Sequence, residues 1–231
     1  MSRWVICLRK SLPAKVNLRI LVNLIMVLVI VLPFTHNAGA QTPDVLERAV
    51  QNIISQMTPQ QRVGQLMIIT FEGSYLGQDA DIVRLIRDYN IGNVMLLAEN
   101  DNINGRFNTP GRVYALTTGL QQAVFDSADA QDIPFLPLFI AVTHSGNGLP
   151  YTGIATGTTP LPGYMALGAT WEPEFARKTG QIAGQELQAM GINMLLGPAL
   201  DVAGLQTSGD LDILGVQTFG GEPYWVGRMG A

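Results

Sequence analysis

The sequence holds a single cysteine, Cys7, and two histidines, His36 and His144. Cys7 and His36 both fall within the first forty residues, so residues 41–231 keep one histidine and no thiol. Disulfides, thiol catalysis and metal sites built from several Cys or His are thereby excluded for that part of the chain. Lysine is equally scarce, Lys178 being the only one beyond Lys15. Five of the 14 Lys and Arg lie before residue 41, leaving nine against 18 Asp and Glu, a net charge of −9 for residues 41–231. Nothing clusters Lys or Arg into a phosphate-neutralising face, so nucleic acid is not an expected partner. The oxygen ligands form no loop of regular spacing, and neither a metal nor a cofactor is expected.

What is present begins with a leader. Arg3, Arg9, Lys10, Lys15 and Arg19 precede an apolar run from Ile20 to Phe34, and Ala38-Gly39-Ala40 gives the small-x-small pattern of a signal peptidase site ahead of Gln41. The expectation is a signal peptide over 1–40, cleavage near Ala40, and export to an extracellular or periplasmic space. An uncleaved membrane anchor is the competing reading, but about fifteen apolar residues fall short of the roughly twenty that span a bilayer. The remaining residues, 41–231, suffice for one hydrophobic core and carry too few charges for a disordered chain.

Helix and strand signals alternate from there. Val45, Ala49, Ile53 and Met57 give one apolar helical face over Asp44 to Met57. Thr58-Pro59-Gln60-Gln61 reads as a capping box with proline in the first turn. Apolar runs of strand length lie near 65–71, 93–97, 136–142 and 192–197, and helices are expected over Asp79 to Tyr89, Thr109 to about Asp126 and Glu172 to Met190, with Gly191 as a C-terminal cap. A further helix starts near the last residues.

Strands buried on both faces and alternating with helices predict an α/β protein with a parallel sheet. A doubly wound dinucleotide fold asks for G-x-G-x-x-G after the first strand, and "FEGSYLGQDA" lacks that spacing. A TIM-type β/α barrel takes eight units in roughly 250 residues, and about four are counted here. The expected fold is therefore the first half of a parallel β/α barrel. Chemistry in such a barrel sits on the loops after the strands, and the stretch "THSGNGLPYTGIATGTTP" after the third strand is far longer than a usual connector of about two to six residues.

Five segments in order resemble the N-terminal barrel of the family-3 glycoside hydrolases, the β-N-acetylhexosaminidase and β-glucosidase group. They are "MTPQQRVGQLMIITF", "IGNVMLL", "TTGLQQAV", "GINMLLGPALDV" and "LGVQTFGGEPYWVGRMG". The resemblance implies a secreted hydrolase of O-glycosyl bonds whose partner is a β-linked glycoside or N-acetylhexosaminide. It also marks candidate substrate-binding positions. Where the family carries Asp-x-Glu-Gly-Gly after strand three, this chain has Thr143, His144, Ser145, Gly146 and Asn147. Gln217 stands at the position of a sugar-contacting arginine, Thr218 at that of a serine, and Asp201 matches the family's Asp-Val ending of strand four.

No catalytic residue is assigned. The family's acid/base lies near a Lys-His-Phe-Pro-Gly-His motif with the nucleophilic Asp further on, and neither segment occurs here. His144 reads either as a ligand-orienting or proton-donating group or as a plain loop histidine, and Asp201 either as a site residue or as a loop cap. Asp210 and Asp212, two apart in a loop, read as solvated rather than as a carboxylate pair. Three functional readings follow: an inactive N-terminal fragment of a secreted family-3-type hydrolase, a non-catalytic carbohydrate-binding or structural remnant of that fold, or a pseudogene product.

Overall fold

The capping signal at Thr58 is realised in the computed structural model, which describes residues 43–103, 107–145, 153–204 and 216–231. The Thr58 hydroxyl accepts from the Gln61 amide at 3.2 Å while the Gln61 side chain accepts from the Thr58 amide at 2.9 Å. That reciprocal pair starts helix α2 (Pro59–Gly64), which follows α1 (Pro43–Gln56). The signal peptide assigned to 1–40, Asn147 and the Asp210–Asp212 pair lie outside the described residues. The chain divides into two compact units, 1–47 and 48–231, and of the first only the start of α1 is described.

In the second unit, β1 (Ile68–Ile69), α3 (Asp81–Tyr89), β2 (Asn93–Met95), α4 (Thr109–Gln131), β3 (Phe139–Val142), α5 (Tyr164–Gly168), α6 (Pro173–Ala189), β4 (Met194–Leu195) and α7 (Pro223–Gly230) follow in order. The strands form one sheet in the order β1-β2-β3-β4, and each neighbouring pair is parallel. A doubly wound sheet reverses its strand order at a switch point. This one does not, and sequential order is what a barrel requires.

The register identifies which face the helices cover. Ile69, Val94 and Ile140 share one row, and Val142 pairs with Leu195. All of them belong to, or pack against, the main core, together with Ile82 and Ile86 of α3, Val113, Leu116 and Leu120 of α4, and Leu187 of α6. The opposite row of Ile68, Asn93 and Phe139 leaves Ile68 and Phe139 about half exposed. Among the described residues, helices thus cover one face of the sheet only. The four strand positions and the parallel sense agree with the sequence reading, and the architecture is the first half of a β/α barrel.

The ladders are shorter than the apolar runs because side-chain amides take over where they stop. Asn93 donates to the Gln65 and Met67 carbonyls at 2.8 and 2.9 Å, and Asn193 accepts from the Ile140 amide at 2.7 Å while donating to Leu138. Asn102 bridges the first two strand ends, donating to the Phe71 and Gly73 carbonyls and accepting from the Leu97 amide. Three helix limits differ from the sequence reading. Helix α3 starts at Asp81 rather than Asp79, and α4 is capped by Asn108 and runs on to Gln131 before Asp132 turns left-handed. Met190 caps α6, and Gly191, at φ +76°, makes the turn that follows.

A smaller core joins the late helices. Leu167, Ala176, Phe219, Val226 and Met229 pack together, with Tyr164 and Val202 against them. This cluster ties α5, α6 and α7 to the segment carrying Gln217. Among the described residues no helix is long and apolar enough to cross a membrane.

Candidate functional site at the strand ends

Parallel strands deliver their following loops to one end of the sheet, and β3 and β4 are neighbours. Thr143 to Ser145 directly follow β3, and Asp201 lies beyond β4 at the same end. The barrel reading requires that shared end.

The residues after β3 are packed in. Thr143 is half-buried, and its carbonyl accepts from the Gly153 amide at 2.8 Å, which brings residue 153 beside the strand end. Only glycine fits there, because a Cβ on residue 153 would stand 2.6 Å from a Val142 methyl and 2.8 Å from the Thr143 carbonyl. His144 and Ser145 are more than nine-tenths buried. The His144 carbonyl accepts from the Tyr164 hydroxyl at 3.1 Å, and the Tyr164 ring packs on Phe219 at 5.1 Å between centroids. Burial raises the Tyr164 phenol above its ordinary value. Two residues before Phe219, Gln217 is half-buried, and the Ala203 amide donates to the Gly220 carbonyl at 2.9 Å. These bonds and contacts bring Gln217 and the segment after Asp201 to the same region as His144.

Three buried polar atoms in this region have no hydrogen-bond partner among the described residues: His144 Nδ1, Ser145 Oγ and Gln217 Nε2. A buried polar group without a partner costs about 1–3 kcal/mol, so unsatisfied atoms in one region mark either a ligand site or a place where a ligand site has decayed. A cavity of about 570 Å³ opens beside His144 and Ser145, bounded also by Tyr164, Phe219, Arg177 and Met229, while Thr143, Asp201 and Gln217 do not line it. Asp201, by contrast, is exposed.

Glu174, Arg177 and Arg228 are the charged residues that line this cavity. Glu174 pairs with Arg177, and Glu186 accepts from the Thr159 amide at 3.1 Å and from its hydroxyl. Retaining glycoside hydrolysis needs two carboxyl groups about 5–5.5 Å apart. Asp201 is the only carboxylate among the five candidate site residues, and among the described residues no group of three His, Cys, Asp or Glu gathers as for a metal.

Burial lowers the pKa of His144 below its ordinary value, opposed by a smaller raising effect of Glu186. The imidazole is therefore held neutral in the folded chain. A His whose folded pKa lies below its unfolded one contributes its full stability above the unfolded pKa, about 6.5, and loses it as pH falls toward the folded pKa. Urea midpoints should accordingly drop between about pH 7.5 and 5.5, and His144→Leu should flatten that slope. An unchanged slope would mean that His144 is hydrated in both states.

Residues 58–231 match the family model described as the glycosyl hydrolase family 3 N terminal domain. The chain belongs to this family. Beta-hexosaminidase A of Pseudoalteromonas piscicida is 27% identical over 192 residues, covering 75% of this chain and 29% of its own length. Among solved structures, a glycoside hydrolase family 3 β-N-acetylglucosaminidase from Paenibacillus sp. str. FPU-7 superposes with a TM-score of 0.62 at 32% identity, over 75% of this chain and 30% of that one. A β-N-acetylhexosaminidase from Beutenbergia cavernae shares the fold at a TM-score of 0.57 and 24% identity, over 75% of this chain and 48% of its own. The chain thus spans less than a third of the length of the first two.

Sequence reasoning found the family and the parallel sheet. It missed α5, whose Tyr164 anchors the His144 backbone. Five residues between Pro162 and Trp171 carry no periodic signal that would have revealed it.

Proposed function

We propose that this family-3 chain is exported and that it presents a carbohydrate-facing strand-end surface without performing hydrolysis. The supporting observation is the chemistry at three positions. Thr143, Ser145 and Gln217 put neutral groups where the family pattern has Asp, Glu and Arg, and two of them, with His144, hold the unpartnered buried atoms. Polar size is kept while charge is lost, which favours weak recognition of a neutral sugar over chemistry on it.

The ligand class is a β-linked glycoside or N-acetylhexosaminide. The hexosaminidase names of the relatives covering the largest share of the chain support that class, although a β-glucosidase-type substrate fits the same surface. The alternative of a structural remnant predicts no sugar binding at all. Titration of the chain with N-acetylglucosamine separates the two: saturable heat lost on Gln217→Ala supports recognition, and the absence of heat supports the remnant.

Export rests on the basic leader, the apolar run and the Ala38-Gly39-Ala40 ending. Material secreted by an expression host should begin at Gln41 on N-terminal sequencing. Recovery of an intact Met1 in an integral membrane fraction would support an anchor instead.

A further inference from the structure

Both tryptophans of residues 41–231, Trp171 and Trp225, lie in one cluster. Their ring centroids are 5.3 Å apart at an interplanar angle of 85°, and Tyr224 stands 5.5 Å from Trp225 at 78°. An edge-to-face pair covers one face of one ring and leaves the remaining ring area open. Trp171 and Tyr224 are accordingly 57 and 64% exposed. Neither tryptophan belongs to either of the two core clusters of the described residues. Trp171 also holds a left-handed backbone, at φ +54°, which a bulky side chain rarely adopts. Its strain and its exposure both cost stability, and burial in a core offsets neither. Residues held at such a cost gather at ligand sites.

Beside the rings lies a cavity of about 200 Å³, enclosed by α5, the residues leading into α6 and those leading into α7. Trp171 and Trp225 line it together with Met165, Phe219 and Glu222. Phe219 is the one residue it shares with the cavity beside His144, so the two spaces are separate. Pockets for drug-sized ligands run to about 300–1,000 Å³, and this one has room for a single ring. Its walls are mainly aromatic, and Glu222 is the only charged residue among the described ones that line it. The Glu222 carboxylate accepts from the Trp225 amide at 2.9 Å, which leaves it capacity to accept from a hydroxyl as well. A negative charge with no Lys or Arg at its side disfavours an anionic ligand. A β-linked pyranose matches both features: the C–H bonds of its ring face are drawn to the negative face of an aromatic ring, and its rim carries hydroxyl donors.

We propose that the cavity between Trp171 and Trp225 is a second carbohydrate site, which takes one pyranose unit of an uncharged β-linked oligosaccharide against Trp171, with a sugar hydroxyl on Glu222. The choice of a sugar rests on the carbohydrate reading of the chain, whereas the site lies outside the strand-end residues that reading names.

Tryptophan emission reads this site directly in a Trp4→Phe background, where Trp171 and Trp225 are the only tryptophans left. The probes are cellotetraose and tetra-N-acetylchitotetraose, with tetramannuronate, β-linked but acidic, as the charged counterpart. The expected result is a saturable change in emission, and protection from acrylamide quenching, with one or both neutral probes and with neither effect from tetramannuronate. The probe that acts identifies the sugar. Trp171→Ala should weaken binding by about tenfold or more, as loss of an aromatic anchor does, and Trp171→Phe, which keeps a ring, should restore most of it. Protection from acrylamide is measured on the unsubstituted rings, so it stands even where Trp171→Ala disturbs the fold. Gln217→Ala, which removes strand-end recognition, should leave the emission change in place. Emission that responds to a tetrasaccharide while N-acetylglucosamine gives no heat would therefore sink the strand-end reading and keep this site. No saturable change with either neutral probe up to its solubility limit overturns the proposal. An equal response to tetramannuronate, a response that survives Trp171→Ala undiminished, or one produced by choline chloride and not by the sugars would overturn it as well.

Discussion

Incubated with aryl β-glucosides or aryl N-acetyl-β-glucosaminides, the 231-residue chain is expected to release no aryl alcohol above the uncatalysed rate. Double displacement needs one carboxylate to form the glycosyl-enzyme and a second carboxyl group, or its equivalent, to protonate the leaving oxygen. Asp201, the one carboxylate among the candidate site residues, is exposed to water. His144 offers no substitute acid, since burial keeps its imidazole neutral and its side-chain Nδ1 has no group to orient it. Rate enhancements by glycosidases are many orders of magnitude. The expected loss relative to an intact family member is therefore the whole of that enhancement, and a discontinuous assay with long incubation is sufficient to read it. Turnover by the unmodified chain that Asp201→Ala or His144→Ala abolished would establish a working site of a different kind.

The second large effect is structural. Gly168 closes α5 against the segment after Gln217, and a Cβ there would stand 1.7 Å from the Phe219 carbonyl oxygen. That neighbour is backbone and cannot rotate away, so Gly168→Ala must push α5 off Phe219. The shift breaks the Tyr164–Phe219 ring contact and pulls the Tyr164 hydroxyl from the His144 carbonyl. Overpacking of this sort costs about 1–3 kcal/mol, and the upper end applies where backbone meets backbone. Urea unfolding should show that loss for Gly168→Ala. Gly227→Ala, on an exposed face where a Cβ meets open space, should be neutral or slightly stabilising. Equal stability of the two variants would mean that α5 is not fixed against Phe219.

The two effects illustrate what the sequence makes legible. The β/α alternation could be read because apolar runs and helical periodicity are local patterns, and Thr58-Pro59-Gln60-Gln61 encodes its own helix start in four residues. Helix ends were less legible. "SADAQ" after Asp126 looks like a loop by polarity, yet alanine and glutamine carry the helix on until Asp132 turns left-handed. Asp201 and Gln217 stood out through their place in the ordered family segments, and Thr143 to Ser145 through the long loop after the third apolar run. Their condition was not. Whether Ser145 Oγ and Gln217 Nε2 find partners depends on chain segments about seventy residues apart, and the Tyr164 bond to His144 spans twenty positions with no sequence signature. The bare inner face was also hidden, because Ile68 and Phe139 sit in apolar runs that read as fully buried strands.

The central claim is that this strand-end surface has kept the shape of a family-3 sugar site and lost its charges. Calorimetric titration of N-acetylglucosamine into the unmodified chain and into Thr143→Asp/Ser145→Glu/Gln217→Arg tests it most directly. Hydrogen bonds to charged groups are worth about 1.5–3 kcal/mol, roughly twice neutral ones. The triple variant should therefore bind at least about tenfold tighter than the unmodified chain, with no aryl glycoside cleaved by either. Equal or weaker binding by the triple variant, at unchanged fold by circular dichroism, would contradict the claim and show that these positions do not face a sugar in this chain.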